Sequence, residues 1–352
     1  MIWYKVNHNK DPYRELWSRK EWLNPIKNAV SIKFPLIITV EPTNICQYEC
    51  LYCSRQLMNR RQGMMSIETM ELISREASEH HSAIRHGGFG EPLMHPKIAD
   101  LVRVNKDHNV LTTIFTNGNL LTEDMMREFV DLGLDEIRFS TSGITPETHN
   151  EIRKKSDYHR DFEEKVKMAY EVRGKMNSKY PFITIYSNVI DYQSKIITEN
   201  IESYKSKYML YADKIDIDLT DFSRVKHLEH VKELYKNQRI NEEYKPCVIL
   251  YLKIIVHWNG DVFGCDCVYN FEDKFYIGTI GKDNFTIEKG YFSPKMQELR
   301  KQLSFSINHN QFELCKCCYA NTDKWDKDQE NLHSLMTDAQ NEILQDTVLP
   351  YI

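Results

Sequence analysis

Short apolar runs alternate with longer stretches whose apolar positions return every three or four residues, and this alternation organises the first two-thirds of the chain. The run Phe34-Pro-Leu-Ile-Ile-Thr-Val40 predicts a buried strand ending at Glu41-Pro42-Thr43-Asn44. Ser66–His80 reads as a helix capped by Ser66, with Glu68 in its first turn, where a carboxylate meets the positive end of the helix. Further strands are expected at Ser82–Gly88, Val110–Phe115, Glu136–Ser140, Ile183–Val189 and Lys214–Leu219. Helices are expected at Ile98–Asp107, at Thr122–Leu132 behind a Thr122 cap, from beyond Ser140 to about Lys179, and from about 196 to 211. Strands separated by helices imply parallel pairing through crossover connections, in an open doubly wound sheet or a barrel. In both, chemistry gathers at the C-terminal ends of the strands.

The pattern changes at the two ends. Residues 1–34 hold two short polar-aromatic segments, read as helix and loop. Asp221–Tyr244 is charged and helical, a bridge to short β-like pieces at Val248–His257, Val262–Cys265 and Phe275–Ile280, with a turn at Trp258-Asn259-Gly260-Asp261. A helix at Pro294–Leu303 and a cysteine knot at Cys315–Cys318 follow. The expected division is an N-terminal extension (1–33), a main α/β domain (34–225), a helical bridge (226–244), a small cysteine-bearing domain (245–325) and a helical tail (326–352).

Composition narrows the function. In 352 residues, 41% hydrophobic and 11% aromatic side chains suffice for a packed core. The formal charge of −5 provides no basic field for nucleic acid or anionic lipid. No stretch approaches the roughly 20 apolar residues of a membrane span; Cys247–Val256 comes nearest and Lys253 interrupts it. The polar N-terminus lacks a secretory core. A cytoplasmic chain without nucleic-acid or membrane partners is the expectation.

The nine cysteines change the picture most. Cys46, Cys50 and Cys53 lie in the loop after the first expected strand, none lies between 54 and 246, and Cys247, Cys265, Cys267, Cys315, Cys317 and Cys318 follow. An odd number in a reducing compartment is no disulfide framework, and the clustering points to metal. Zinc is one reading, but structural zinc takes four ligands and no histidine is near this loop. Three thiolates suit a [4Fe–4S] cluster with one iron left open to a small molecule.

Cys46-x3-Cys50-x2-Cys53, with Tyr52 before the last cysteine, resembles the signature of the radical S-adenosylmethionine superfamily. The resemblance runs over roughly residues 34–220. The family's Gly-Gly-Glu-Pro turn has its counterpart in Phe89-Gly90-Glu91-Pro92, with Phe89 in place of the first glycine. Thr116-Asn117-Gly118 and Ser140-Thr141-Ser142-Gly143 end the third and fourth strands as in relatives, Ser142 replacing an aspartate. The resemblance implies an α/β fold, a partial (β/α)6 TIM-like barrel with a small C-terminal β-hairpin and helix domain that binds a cluster. It implies S-adenosylmethionine held by Tyr52, Gly90, Glu91, Pro92, Asn117, Ser140 and Arg153, on a [4Fe–4S] cluster at Cys46, Cys50 and Cys53. Arg55 and Gln56 are candidates for covering the cofactor.

Cys247-x17-Cys265 and Cys315-x2-Cys318 resemble the Twitch form of the SPASM extension, which implies a second, auxiliary [4Fe–4S] cluster on Cys247, Cys265, Cys315 and Cys318. A zinc ribbon is the alternative for any four-cysteine set. Cys267 and Cys317 stand beside these ligands, either as small buried residues, with Cys317 able to exchange register with its neighbours, or as a hydrogen-atom donor, with Cys267 the candidate.

The family implies a 5′-deoxyadenosyl radical that abstracts hydrogen from a small-molecule substrate, sugar or cyclitol-like, with a reduced flavodoxin- or ferredoxin-type electron donor. Alcohol oxidation assisted by the auxiliary cluster is the leading reaction. Epimerisation with a cysteine donor and peptide modification are the alternatives, the last disfavoured by the roughly 34 residues preceding the first strand. A zinc-binding scaffold is the non-enzymatic one. Tyr186, Asn188, Asp216 and Asp218 are candidate substrate contacts at late strand ends.

Overall fold

The structure, a computed structural model, describes residues 2–5, 12, 34–154, 157–189, 194–220, 222, 225, 228–232, 247, 249–304 and 311–316. Ten strands form one sheet: β1 (Ile2–Lys5), β2 (Ile37–Val40), β3 (Ala83–His86), β4 (Thr112–Thr116), β5 (Glu136–Ser142), β6 (Phe182–Val189), β7 (Lys214–Leu219), β8 (Lys253–Val256), β9 (Asp261–Phe263) and β10 (Tyr276–Thr279). Their order is β1-β7-β6-β5-β4-β3-β2-β8-β9-β10, and β2 to β7 pair in parallel. The alternation allows an open sheet or a barrel, and this is the six-stranded partial barrel that the family resemblance implies. Between the strands lie α1 (Ile67–Glu79), α2 (Ile98–Asp107), α3 (Glu123–Asp131), α4 (Pro146–Arg153), α5 (Tyr158–Lys175) and α6 (Ser194–Tyr208).

The helices begin where the sequence supplies oxygen caps. Ser66 Oγ accepts from Thr69 N at 3.1 Å and Thr122 Oγ1 from Met125 N at 3.2 Å. Thr145 and Thr148 form a reciprocal capping box ahead of α4, with Pro146 in the first turn. The two faces of the parallel strands differ in chemistry. Ile38, Ile84, Ile114, Ile137, Ile183 and Ile215 are fully buried and join Met70, Leu101, Phe129 and Val166 of the helices in one apolar cluster. The opposite face carries Thr39, Arg85, Thr113, Glu136, Arg138, Thr184 and Asp216, cross-strand neighbours in register. Ile37 and Ala83, with the partly buried Leu36 and Leu111, form a small apolar cluster at the N-terminal ends of these strands.

Two expectations are corrected. The N-terminal segment expected as helix and loop contributes strand β1, antiparallel to β7 with Ile2 opposite Ile217. A free strand edge exposes unpaired backbone groups, and Ile2-Trp3-Tyr4 has the β-forming composition to cover it. The β-like run at Val248–His257 splits: Ile249–Leu252 is a helical turn, α7, and only Lys253–Val256 is extended. That strand pairs in parallel with β2, Ile38 opposite Ile254, so the cysteine-bearing C-terminal unit shares the barrel's sheet. After β10, the short α8 (Ile287–Tyr291), α9 (Pro294–Ser304) and α10 (Glu313–Lys316) complete the described chain. Cys317, Cys318, the tail from 326 and most of the extension and bridge lie outside the described residues.

Candidate active site

The loop after β2 holds Cys46, Cys50 and Cys53 at the C-terminal end of the barrel. Cys50 is buried and its neighbours partly so. Local bonds shape the loop: Cys53 N donates to Cys50 O at 3.0 Å, Tyr48 N approaches Cys46 Sγ at 3.5 Å, and Leu51 N donates to Ile152 O of α4 at 3.0 Å. Arg55 donates to Tyr48 O at 2.7 Å and Gln56 to Cys50 O at 2.8 Å, so both brace this loop.

The residues singled out at the other strand ends converge on it. Arg153, at the end of α4, donates to Cys50 Sγ at 3.2 Å and to Ser140 Oγ at 3.0 Å, while its buried Nε has no hydrogen-bond partner among the described residues. The Tyr52 hydroxyl lies 3.3 Å from Ser142 Oγ and 3.5 Å from Asn188 Nδ2. Gln47 donates to Asn117 Oδ1 at 3.1 Å, tying the loop to the end of β4. Glu91 is buried, with Oε1 accepting from Leu93 N and Thr116 Oγ1 and Oε2 from Asn117 N at 2.8 Å. It therefore holds the Gly90-Glu91-Pro92 turn against β4. Phe89 stacks edge-on to Tyr269 of the C-terminal unit at 6.1 Å, which gives the departure from the glycine pattern a packing role.

Burial pushes the Cys46 thiol up to about 12 and Cys53 to about 11. Left alone, these sulfurs stay protonated at neutral pH; a cationic cluster is what ionises such a set. Three cysteines of one loop, with Cys50 and Cys53 acting electrostatically on Cys46, and an Arg153 Nε unpartnered among the described residues fit a cluster and an anionic group beside it.

The second thiol set lies where β8, the β9–β10 hairpin and α10 meet. Cys247, Cys265, Cys267 and Cys315 line one pocket with Leu250, Phe275 and Leu303. Cys265 Sγ, Cys267 Sγ and an Asp266 oxygen lie within 4.8 Å of one another. Burial pushes Cys247 up to about 11. Cys265, hydrogen-bonded to Cys267 and buried, is raised further. The sequence reading did not single out Asp266, whose position between two cysteines is its only mark in the sequence. Its Oδ2 accepts from Arg85 Nη2 at 3.1 Å, which also donates to Thr39 Oγ1 at 2.9 Å. The second thiol set thus touches the polar inner face of the barrel.

A second seam joins the two sets. Arg60, seven residues beyond Cys53, clamps buried Glu41 at 2.9 and 2.8 Å and donates to Tyr269 O at 2.6 Å. Asn59 N donates to Asn270 Oδ1 at 2.8 Å, and Trp258 Nε1 to Arg61 O at 3.2 Å.

Residues 40–188 match the model of the radical SAM superfamily, and residues 247–319 match that of the SPASM iron–sulfur cluster-binding domain. The chain thus carries a radical SAM domain followed by a SPASM domain. Its cofactors are S-adenosylmethionine and [4Fe–4S] iron–sulfur clusters. It is 30% identical over 148 residues to the tungsten-containing aldehyde ferredoxin oxidoreductase cofactor-modifying protein of Pyrococcus furiosus, 42% of this chain and 41% of that one, and so spans about two-fifths of that relative. Streptococcus suis SuiB bound to precursor peptide SuiA has the same fold, with a TM-score of 0.58 at 17% identity over 90% of this chain and 79% of that one. Native anSMEcpe with bound AdoMet superimposes with a TM-score of 0.57 at 16% identity, covering 90% and 97%. Among the described residues no helix is long and apolar enough to cross a membrane.

Proposed function

We propose that this radical SAM protein oxidises a small polar molecule, of sugar or cyclitol type, at a carbon bearing a hydroxyl group. The observation that carries the reading is the Arg85–Asp266 contact, which sets the second thiol pocket against the polar interior of the barrel rather than on the outer surface. Cys46, Cys50 and Cys53 would hold the first cluster. Cys247, Cys265 and Cys315 would hold the second, with Cys318 as the fourth ligand. When bound, these groups supply a 5′-deoxyadenosyl radical at the first site and a one-electron acceptor at the second. Arg153, with its Nε unpartnered among the described residues, would orient the carboxylate of S-adenosylmethionine. Tyr52, Asn117 and Ser140 would line its seat, with Gly90, Glu91 and Pro92 shaping the wall. Tyr186 and Asn188, on the inner face of β6, would meet the substrate; Asp216 pairs through Oδ2 with Arg138 and Lys214, while its buried Oδ1 finds no hydrogen-bond partner among the described residues. A reduced flavodoxin- or ferredoxin-type protein would supply the electron that starts each cycle.

Epimerisation is the second reading, and the place of Cys267 favours it: Cys267 Sγ lies 3.7 Å from Asp266 Oδ1, whose other oxygen meets Arg85 of the barrel. As the donor, Cys267 would give a hydrogen atom to the substrate radical, and its sulfur radical would be returned to the thiol by one electron from the reduced flavodoxin- or ferredoxin-type protein and a proton from solvent.

Iron, sulfide and zinc are measured after anaerobic reconstitution, beside a variant with Cys46, Cys50 and Cys53 all changed to alanine. Two clusters give about eight irons per chain, falling to about four in the variant with loss of 5′-deoxyadenosine formation. Stoichiometric zinc at the second set would remove the acceptor and sink the oxidation. Unchanged product mass with solvent deuterium uptake, lost in Cys267→Ala, would select epimerisation instead.

A further inference from the structure

We propose that the interior of the barrel beneath the cysteine loop is an anion-binding subsite, in which Lys253 and Arg85 hold a carboxylate or phosphate group of the substrate. This rests on the reading of the barrel as the substrate chamber and narrows its substrate to an acidic one.

The inner face is charged. Among the described side chains Arg85, Arg138, Lys214 and Lys253 stand on it with Glu136, Asp216 and Asp266, and Asp218 shares the face by register. Asp216 takes Arg138 at 2.5 Å and Lys214 at 3.2 Å. Glu136 accepts from Thr113 and Thr184 at 2.9 and 2.6 Å and lies 3.6 Å from Arg138. Asp266 is held by Arg85. Glu136, Asp216 and Asp266 are thereby engaged, while among the described residues Lys253 forms no ion pair and its ammonium donates no hydrogen bond. Its charged and titratable neighbours are Asp266, Arg85, Cys267 and Arg138, so two guanidiniums share its surroundings.

Among the described residues Arg85 engages only Nη2, and its side chain, on the inner face, stays 23% exposed. Phe115 and Tyr186 are also only half-buried on the inner face, their rings 5.6 Å apart with Arg138 over both. These partly exposed side chains all lie on the inner face of the parallel strands. The apolar cluster of Leu36, Ile37, Ala83 and Leu111 packs at the N-terminal ends of these strands, and Asn188 meets Tyr52 of the cysteine loop at the other end.

Lys253 is half-buried, and its withdrawal from water, offset only in part by the charge of Asp266, holds its pKa below the usual lysine range. A neutral sugar would leave that cost in place. A carboxylate or phosphate removes it, and the unengaged donors of Arg85 match the fork geometry of either group.

The reconstituted, anaerobic protein is titrated calorimetrically with inorganic phosphate and, separately, with succinate. Lys253→Met, Arg85→Gln and the exposed control Lys282→Met are titrated alongside. We expect one-to-one binding of at least one probe, weakened about tenfold or more in Lys253→Met and unchanged in Lys282→Met. The stronger probe tells phosphate from carboxylate. If Lys253→Met does not fold, Arg85→Gln decides by the same criterion. Failure of the wild type to bind either probe, or equal binding by wild type and variant, overturns the subsite. Formation of 5′-deoxyadenosine in the same preparations tests the radical chemistry separately, because it needs no anion in the chamber.

Discussion

The guanidinium of Arg153 donates to the sulfur of Cys50 at 3.2 Å, joining residues 103 positions apart in the chain. Its second bond, to Ser140 Oγ, fixes the end of β5 to the same group, and the rings of Tyr52 and Tyr158 flank it at 5.9 and 5.3 Å. A planar five-donor group can serve a sulfur, a hydroxyl and a third acceptor together; an ammonium cannot keep that geometry. Arg153→Met should therefore lower 5′-deoxyadenosine formation about tenfold or more, with Arg153→Lys recovering only part. S-adenosylmethionine affinity and iron content measured on both variants separate loss of the cofactor contact from collapse of the loop. Wild-type turnover in Arg153→Met would remove the arginine from the site.

Arg85 and Asp266 couple the barrel to the second thiol pocket, and their side chains are largely buried. A double-mutant cycle with Arg85→Gln and Asp266→Asn, read by thermal unfolding of the reconstituted protein, should give a coupling energy of about 1–3 kcal/mol. Either single change leaves one charge without its partner, so the double variant should lose less than the sum of the two. Strict additivity would show that the contact does not join the two units energetically.

Legibility in the sequence followed the range of the interactions. The strands and their capped helices could be read because period and capping oxygens are local; Ser66 and Thr122 cap where their positions predict. The triad could be read because its three sulfurs lie within eight residues. Strand β1 could not, since it exists by pairing with β7 some 210 residues away. Nor could the parallel pairing of β8 with β2, which brings the second thiol set to the barrel. Lys253 was visible only as a break in an apolar run, and its register on the inner face gives that break a meaning. Glu91 illustrates the other limit: a turn motif names the residue, but only the fold shows its carboxylate spent on Thr116 and the backbone of Asn117 and Leu93.

Gly90 is required by contact rather than by backbone conformation. A Cβ there would stand 2.0 Å from Thr43 O and 2.7 Å from its carbonyl carbon, both main-chain atoms of the loop entering the triad. Main chain cannot rotate aside as a side chain can, so the two loops must separate. Gly90→Ala should destabilise the fold by about 2–3 kcal/mol and lower iron retention at the first site. Gly133→Ala provides a comparison: its Cβ would meet nothing within 4 Å, but its φ of +73° carries backbone strain. Loss of first-site iron in Gly90→Ala alone would separate the loop contact from general strain, and equal iron retention in both would contradict it.

His86 makes the fold sensitive to acid. It lies buried at the end of β3, Asn105 Nδ2 contacts its Nε2 at 2.6 Å, and Ser74 Oγ in turn donates to Asn105 Oδ1 at 2.7 Å. Burial, with a smaller contribution from His95, holds its pKa down to about 3. The imidazole is then neutral in the folded chain at pH values where the unfolded chain has already taken up a proton. Stability from this group is complete above the unfolded value of about 6.5 and is lost as pH falls from there towards 3. In that window it should fall by about 1.4 kcal/mol per pH unit for this one proton. Thermal unfolding of wild type and His86→Gln, each reconstituted and compared at about pH 7 and pH 5, isolates the contribution, because acid damage to the clusters is common to both. The variant should start less stable, having lost the imidazole packing, yet decline less steeply with acid. Equal slopes would mean that His86 accepts its proton inside the fold, and that the core between β3 and α2 opens to water before the protein unfolds.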